Sequence, residues 1–305
     1  MMSMRHFFLR MVRHSPGEAV CAGVVLLMAS NGQAQNLFES DYGSGQILEF
    51  TPGGAQSTFA TGLNQPLGLA FDTAGNLFEA DANSGNLYKF TPGGAQSLFA
   101  SGLGRPNALA FDPAGNLFVA DGVRGEISTF TPSGAQSTFA SGLSQPLGLA
   151  FDFAGNLFVS DVNTDDICKF TPVGTQSIFA SGLNGPWGLA VDSAGNLFEA
   201  DSLSGNIYKF TPGGVQSTFA SGLNHPVGLA FDPAGNLFEG DFDSGNIYEF
   251  TPGGTQSLFA SGLNHPTLFA FQGVSLPVPE PSATTMTLLG AGVTALLVVY
   301  RRNRR

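Results

Sequence analysis

The chain has 305 residues, 43% of them hydrophobic and only 11% charged, with 28 Phe, 41 Gly and 18 Pro. So much core-forming material excludes a disordered chain, and so few charges exclude a long charged helix or coiled coil. The formal net charge is −11, and an acidic chain of this kind argues against DNA or RNA as a partner, because phosphate binding needs a basic surface.

The first segment is an address. Arg5, Arg10 and Arg13 precede an apolar run over residues 19–29, and Gly32-Gln33-Ala34 follows. A charged start, a short apolar stretch and small residues at −3 and −1 predict a signal peptide over residues 1–34, cleaved after Ala34. The apolar run is too short to span a bilayer comfortably as an anchor. Cys21 lies inside this segment, so the mature chain keeps one cysteine, Cys168, and forms no intramolecular disulfide.

Residues 36–273 are governed by a period of 40. Phe-Thr-Pro recurs at Phe50, Phe90, Phe130, Phe170, Phe210 and Phe250, and Asn-Leu-Phe at Asn36, Asn76, Asn116, Asn156, Asn196 and Asn236. Each unit breaks at Gly or Pro into four runs of about five residues, the usual strand length. In the second unit these are Leu67-Gly68-Leu69-Ala70-Phe71, Asn76-Leu77-Phe78-Glu79-Ala80, Asn86-Leu87-Tyr88-Lys89-Phe90 and Gln96-Ser97-Leu98-Phe99-Ala100. Frequent Gly and Pro exclude helical repeats of similar length. The pattern predicts an all-β fold: a six-bladed β-propeller of four-stranded blades. The first unit begins at its second strand and the last ends with a first strand, so pairing the two ends completes one blade and removes an open edge. Phe fills positions 38, 50, 59 and 71 and their equivalents in 23 of 24 cases, Val191 being the exception.

The stretch Gly228-Leu229-Ala230-Phe231-Asp232-Pro233-Ala234-Gly235-Asn236-Leu237-Phe238 resembles the NHL repeat, and the other units keep most of this form, with Ala108 in place of the first glycine in one. The pattern is also similar to gluconolactonase-like and streptogramin-lyase-like six-bladed propellers. That resemblance implies, as an alternative function, a metal-dependent lactonase or lyase with carboxylate and amide ligands pointed into the central channel. No such set can be placed here, and no residue is assigned a catalytic role.

Among candidate sites, two Asp series repeat: Asp72, Asp112, Asp152, Asp192, Asp232, and Asp41, Asp81, Asp121, Asp161, Asp201, Asp241. Turn capping is the expected role. Asp161, Asn163 and Asp165 fit the first half of an EF-type calcium loop, but Asp166 stands where Gly is needed and Pro172 where the distal Glu is needed. Glu39, Glu79, Glu199 and Glu239 share one strand position with Val119 and Val159, and solvated blade edges are expected there, with Lys89 and Lys209 pairing with Glu79 and Glu199. Cys168 occupies a slot held elsewhere by Tyr88, Tyr208 and Tyr248, and is read as packing.

The informative variation flanks the loop Pro. Gln65, Arg105, Gln145, Gly185, His225 and His265 precede it; Leu67, Asn107, Leu147, Trp187, Val227 and Thr267 follow. These are expected to circle one mouth. A ligand-binding rim of Gln65, Arg105, Asn107, Gln145, Trp187, His225 and His265 is the candidate site, suited to carbohydrate or protein. His225 and His265, on adjacent blades, are also candidates to share a metal or act as acid and base. No cofactor is assigned, with Ca2+ or another divalent ion as the alternative.

The C-terminus has a linker, residues 274–282, containing Pro279-Glu280-Pro281. An apolar stretch over residues 283–300 is long enough to cross a bilayer, and Arg301, Arg302, Arg304 and Arg305 predict a cytoplasmic tail. This tripartite end resembles the PEP-CTERM sorting signal of Gram-negative bacteria. The resemblance implies transient anchoring in the inner membrane, processing by an exosortase and delivery to the envelope, cell surface or extracellular matrix. The expected product is a monomeric, exported propeller acting as a non-enzymatic binding or structural module, with exopolysaccharide or an envelope protein as partner.

Overall fold

The computed structural model describes residues 35–273. The expected signal peptide, linker, membrane segment and basic tail lie outside the described residues. Gly and Pro interrupt the chain so often that no strand exceeds six residues, and the described residues form 24 strands and no helix.

The strands group into six four-stranded sheets. Blade 1 contains β1 (Leu37–Asp41), β2 (Gln46–Phe50) and β3 (Gln56–Thr61). Blade 2 is β4 (Pro66–Phe71), β5 (Leu77–Asp81), β6 (Asn86–Phe90) and β7 (Gln96–Ala100), and blade 3 is β8 (Pro106–Phe111), β9 (Leu117–Asp121), β10 (Glu126–Phe130) and β11 (Gln136–Ser141). Blade 4 is β12 (Pro146–Phe151), β13 (Leu157–Asp161), β14 (Asp166–Phe170) and β15 (Gln176–Ser181). Blade 5 is β16 (Pro186–Val191), β17 (Leu197–Asp201), β18 (Asn206–Phe210) and β19 (Gln216–Ser221). Blade 6 is β20 (Pro226–Phe231), β21 (Leu237–Asp241), β22 (Asn246–Phe250) and β23 (Gln256–Ser261), and β24 (Pro266–Phe271) returns to complete blade 1. β24 pairs with β1 in the register Leu37↔Phe271 and Glu39↔Phe269, and the inner strands β24, β4, β8, β12, β16 and β20 contact one another in turn around the axis. The molecule is the closed six-bladed propeller that the repeat predicts.

The core lies in the seams between blades. Phe38 on β1 faces blade 2, where its ring meets Phe71 at 5.1 Å and 77°. Phe59 joins the same seam, edge-on to Phe38 at 5.1 Å and 5.7 Å from Phe90. It does so because β3 carries a bulge: Ile47 pairs with Ala60 and Leu48 with Thr58, leaving Phe59 as the extra residue, turned inward. The same bulge in every blade bends the outer edge while supplying a ring to the core. Each edge-to-face pair adds about 0.5–1.5 kcal/mol beyond area burial. The seam between blades 4 and 5 lacks one ring, where Val191 faces Phe158.

At the axis the inner strands approach so closely that Gly is required. A Cβ on Gly148 would lie 2.1 Å from the Trp187 carbonyl oxygen, and one on Gly228 would lie 1.8 Å from that of Thr267. Blade 1 departs from this pattern with Leu268, which packs against the cluster of Ala108, Leu149 and Phe151 in blades 3 and 4. Blade 1 borders only blades 6 and 2, so Leu268 reaches across the axis.

Two expectations about charge are overturned. Glu39, Glu79, Glu199 and Glu239 are not solvated edges but fully buried at 0% exposure, because the second strand of each blade is covered on both faces. The lysines do not meet these glutamates. In the β5–β6 pair, Lys89 lies opposite Phe78 and Glu79 opposite Tyr88, so the lysine rises on the other face. Lys89 and Lys209 reach Asp72 and Asp192, each at 3.7 Å, and lie over the rings of Phe78 and Phe198. Cys168 is buried in its strand slot, as expected of packing.

Candidate functional site

Both Asp series act as caps. Asp72 accepts from the Ala74 and Asn76 amides and from the Asn76 side chain, closing the turn between inner and second strands. The other series ends each second strand, buried, and accepts backbone N–H groups from the loop that enters the inner strand. Asn64 donates to Asp81 at 2.8 Å, Asn184 to Asp201 at 2.7 Å, Asn224 to Asp241 at 2.7 Å and Asn264 to Asp41 at 2.8 Å. These loops are also stitched to the turn after the second strand: the Tyr42 amide donates to the His265 carbonyl at 3.2 Å, and Phe242 to His225 at 3.1 Å. The residue before each loop Pro therefore stands beside the residue after the capping Asp, and together they form one mouth.

The mouth is asymmetric. Over blades 5, 6 and 1 it carries a continuous aromatic shelf. Trp187 meets His225 at 6.1 Å, His225 meets Phe242 at 5.4 Å, and Phe242 meets His265 at 4.4 Å and Tyr42 at 6.0 Å. Trp187, His225, Phe242 and Tyr42 are half-buried and His265 is exposed. Asn224, Asn264 and Asp243 stand exposed beside the rings, and Asp243 lies 3.4 Å from His225 Nδ1. Gln65, His225 and His265 adopt left-handed φ of 61°, 68° and 63°, where Gly185 serves in blade 5. That conformation costs a non-glycine residue roughly 1–2 kcal/mol, and such strain gathers at functional sites. Across the mouth, the positions equivalent to Tyr42 are Ala82, Gly122 and Val162.

Of the expected rim residues, Gln65, Arg105, Gln145, Trp187, His225 and His265 are accessible at this mouth. Asn107 is not. It is 1% exposed and its amide donates 2.8 Å to the Pro146 carbonyl, tying blade 3 to blade 4. Leu67, Leu147, Val227 and Thr267 are buried likewise, because residues after the Pro already belong to inner strands packed in the seams. The ring of Phe242 stands between His225 and His265, so the two imidazoles do not converge on one ion. Asp161 accepts from the Ser144 and Gln145 amides, Asp165 from Gly185, and Asn163 points to solvent; these three do not form a calcium loop. Among the described residues no three His, Cys, Asp or Glu side chains gather as a metal cluster.

Below the mouth lie the buried glutamates. Burial, then the neighbouring Asp41, Asp81, Asp201 or Asp241, pushes the carboxyls of Glu39, Glu79, Glu199 and Glu239 well above the usual range. Among the described residues only Glu39 of the four has a donor, the Thr267 amide at 3.3 Å.

The C-terminal residues 277–305 match the PEP-CTERM protein-sorting motif, which marks the chain for export and membrane-anchored sorting. No curated protein matches the sequence. Solved structures share the fold. A chain of the nidogen/laminin complex superposes with a TM-score of 0.72 at 20% identity, covering 78% of this chain and 98% of that one. A gluconolactonase from Xanthomonas campestris gives 0.63 at 20% identity, covering 67% and 78%. A catalytically inactive virginiamycin B lyase from Staphylococcus aureus, with quinupristin, gives 0.62 at 13% identity, covering 80% and 94%. At these identities the likeness is one of architecture.

Proposed function

We propose that this chain is an exported, non-enzymatic binding module that holds carbohydrate on the aromatic shelf of its mouth, at the cell surface or in an extracellular matrix. The observation that carries this reading is the run of five rings from Trp187 to Tyr42, confined to three adjacent blades of an otherwise uniform repeat. A sugar presents an apolar C–H face and a rim of hydroxyls. Half-buried rings cover the first, and the exposed Asn224, Asn264 and Asp243 side chains hydrogen-bond the second. A reaction in the channel is disfavoured, because the inner strands carry no ionisable side chain.

The sorting motif supports the address and a processing enzyme of the exosortase type as partner. β24 starts at the mouth and ends at the opposite face, where Gly273 lies beside Gln35, and the motif begins at residue 277. The segment leading to the motif therefore leaves the propeller at the face opposite the shelf.

Trp187 is the sole tryptophan, so its emission reports on the shelf directly. Titrating the full chain with oligosaccharides of the host exopolysaccharide is expected to give a saturable change in emission. Phe242→Ala should weaken binding by about 30-fold, as for a hot-spot residue worth about 2 kcal/mol. No saturable change with any glycan would overturn the carbohydrate reading.

A further inference from the structure

The six blades are not chemically equivalent below the mouth. Blades 1, 2, 5 and 6 carry Glu-x-Asp at the end of the second strand, as Glu39/Asp41, Glu79/Asp81, Glu199/Asp201 and Glu239/Asp241; blades 3 and 4 carry Val119/Asp121 and Val159/Asp161. Residues two apart on a strand share a face, so each pair presents two carboxylates to one seam. Leu77, on the face of Glu79, packs with Phe38 and Ile47 of blade 1. Leu197 packs with Phe158 and Ile167 of blade 4, and Leu237 and Leu37 do the same one blade on.

Among the described residues the glutamates lack partners. Both carboxylate oxygens of Glu79, Glu199 and Glu239, one of Glu39 and Asp201 Oδ1 are buried without a hydrogen bond. Ser40, whose hydroxyl is also buried and unpartnered, lies on the face of β1 that meets blade 2, the seam Glu79 enters. Among the described residues the basic side chains that form ion pairs go elsewhere: Lys89, Lys169 and Lys209 to Asp72, Asp152 and Asp192, and Arg124 to Asp121 and Glu126. In the two Val blades the arrangement is satisfied differently. The amides of Arg105 and Gln145 donate to Asp121 and Asp161 at 3.0 and 2.8 Å. In the Glu blades the equivalent residues, Gln65, Gly185, His225 and His265, are turned to positive φ, and their amides make no such bond. The Ser44, Ser84 and Ser244 amides serve Asp41, Asp81 and Asp241 in their place, so of the four aspartates Asp201 alone keeps an oxygen without a donor among the described residues.

A buried glutamate with no donor and no counter-ion, two positions from a second buried carboxylate, is costly unless paired, and a hard cation is the partner that would pair them both. We propose that each of the four Glu-x-Asp pairs binds a divalent cation in the seam beneath the mouth, and that the ion is calcium. Oxygen-only donors suit a hard ion, and calcium tolerates irregular coordination where magnesium requires a near-ideal octahedron. No third acidic or imidazole group joins any pair among the described residues, so further ligands would have to be backbone carbonyls or water. This inference does not rest on the carbohydrate reading. Because Asp41, Asp81, Asp201 and Asp241 also cap the loops at the mouth, the ions would brace four of the six loops.

The experiment strips the full chain with EDTA and titrates it with calcium chloride by calorimetry, alongside thermal melts with and without the ion. About four ions per chain and a rise in Tm are expected. Glu79→Val and Glu199→Val should each remove one ion and part of that rise. In EDTA both variants should melt at or above wild type, since Val fills this slot in blades 3 and 4. Absence of calcium binding, or Val variants that bind as many ions as wild type, would overturn the proposal and leave the glutamates as protonated packing groups.

Discussion

Phe242 packs at a tilt against His265, 4.4 Å between centroids and 31° between planes, and edge-on to His225 at 5.4 Å. One side chain from the turn after β21 thus joins loops of blades 6 and 1 and sets the level of the shelf. Phe242→Ala should therefore separate binding from stability. The residue is only half-buried, so a loss of about 1 kcal/mol in urea unfolding is expected, below the roughly 3–5 kcal/mol of a fully buried Phe. Trp187 emission should shift as His225 loses its support.

The closing strand is pinned by one hydroxyl. Thr267 Oγ1 donates to the Ser40 carbonyl at 2.7 Å and lies 3.5 Å from that of Pro66. Thr267→Val keeps the shape and removes the donor. It should lower unfolding free energy by about 1–3 kcal/mol, the penalty of a buried group left unpaired. A Ser at this position should restore most of it, which chemical denaturation of the two variants will check.

Val191 leaves Phe158 without the edge pair that Phe71, Phe111, Phe151, Phe231 and Phe271 provide in the other five seams. Val191→Phe is expected to raise stability by about 0.5–1.5 kcal/mol. A lower Tm would mean that the seam between blades 4 and 5 has closed around the smaller residue.

The buried glutamates fix a direction for pH dependence in metal-free protein. Unfolded, they ionise near the ordinary value of about 4.3; folded, burial and the adjacent Asp hold them well above it. Between those values the folded state binds more protons, so stability is greatest at acid pH and falls as pH rises. Melts in EDTA should show Tm decreasing from pH 5 to pH 8. Calcium, which favours the ionised form, should flatten that slope.

The propeller was legible because punctuation, period and aromatic placement agree in every unit. Phe-Thr-Pro and Asn-Leu-Phe recur without insertion, and the half-units at the two ends allow only one closure. The strand faces were harder. Alternation distinguishes core from solvent when one face is wet, but here both faces of each second strand are buried, so Glu79 gave no sign of its burial. Its parity with Leu77 was the available signal. Tyr42 and Phe242 lie outside the Pro-flanking positions that mark the expected rim. The position after the capping Asp varies just as much, reading Tyr, Ala, Gly, Val, Ser and Phe around the ring. Asn107 misled for the opposite reason, since a polar residue in a variable slot was serving the seam.

The pairing of β24 with β1 has a consequence in time. The Thr267 amide and Glu39 that it brings together are 228 positions apart, so blade 1 stays incomplete until almost the whole chain has been translated and exported. Such long-range contacts form late and slowly. Until then β1 presents an unpaired edge to its neighbours. The sorting motif starts six residues after β24 ends. A chain interrupted anywhere upstream would lack both the closing strand and the sorting motif, so the motif is joined only to chains that hold every strand of the ring.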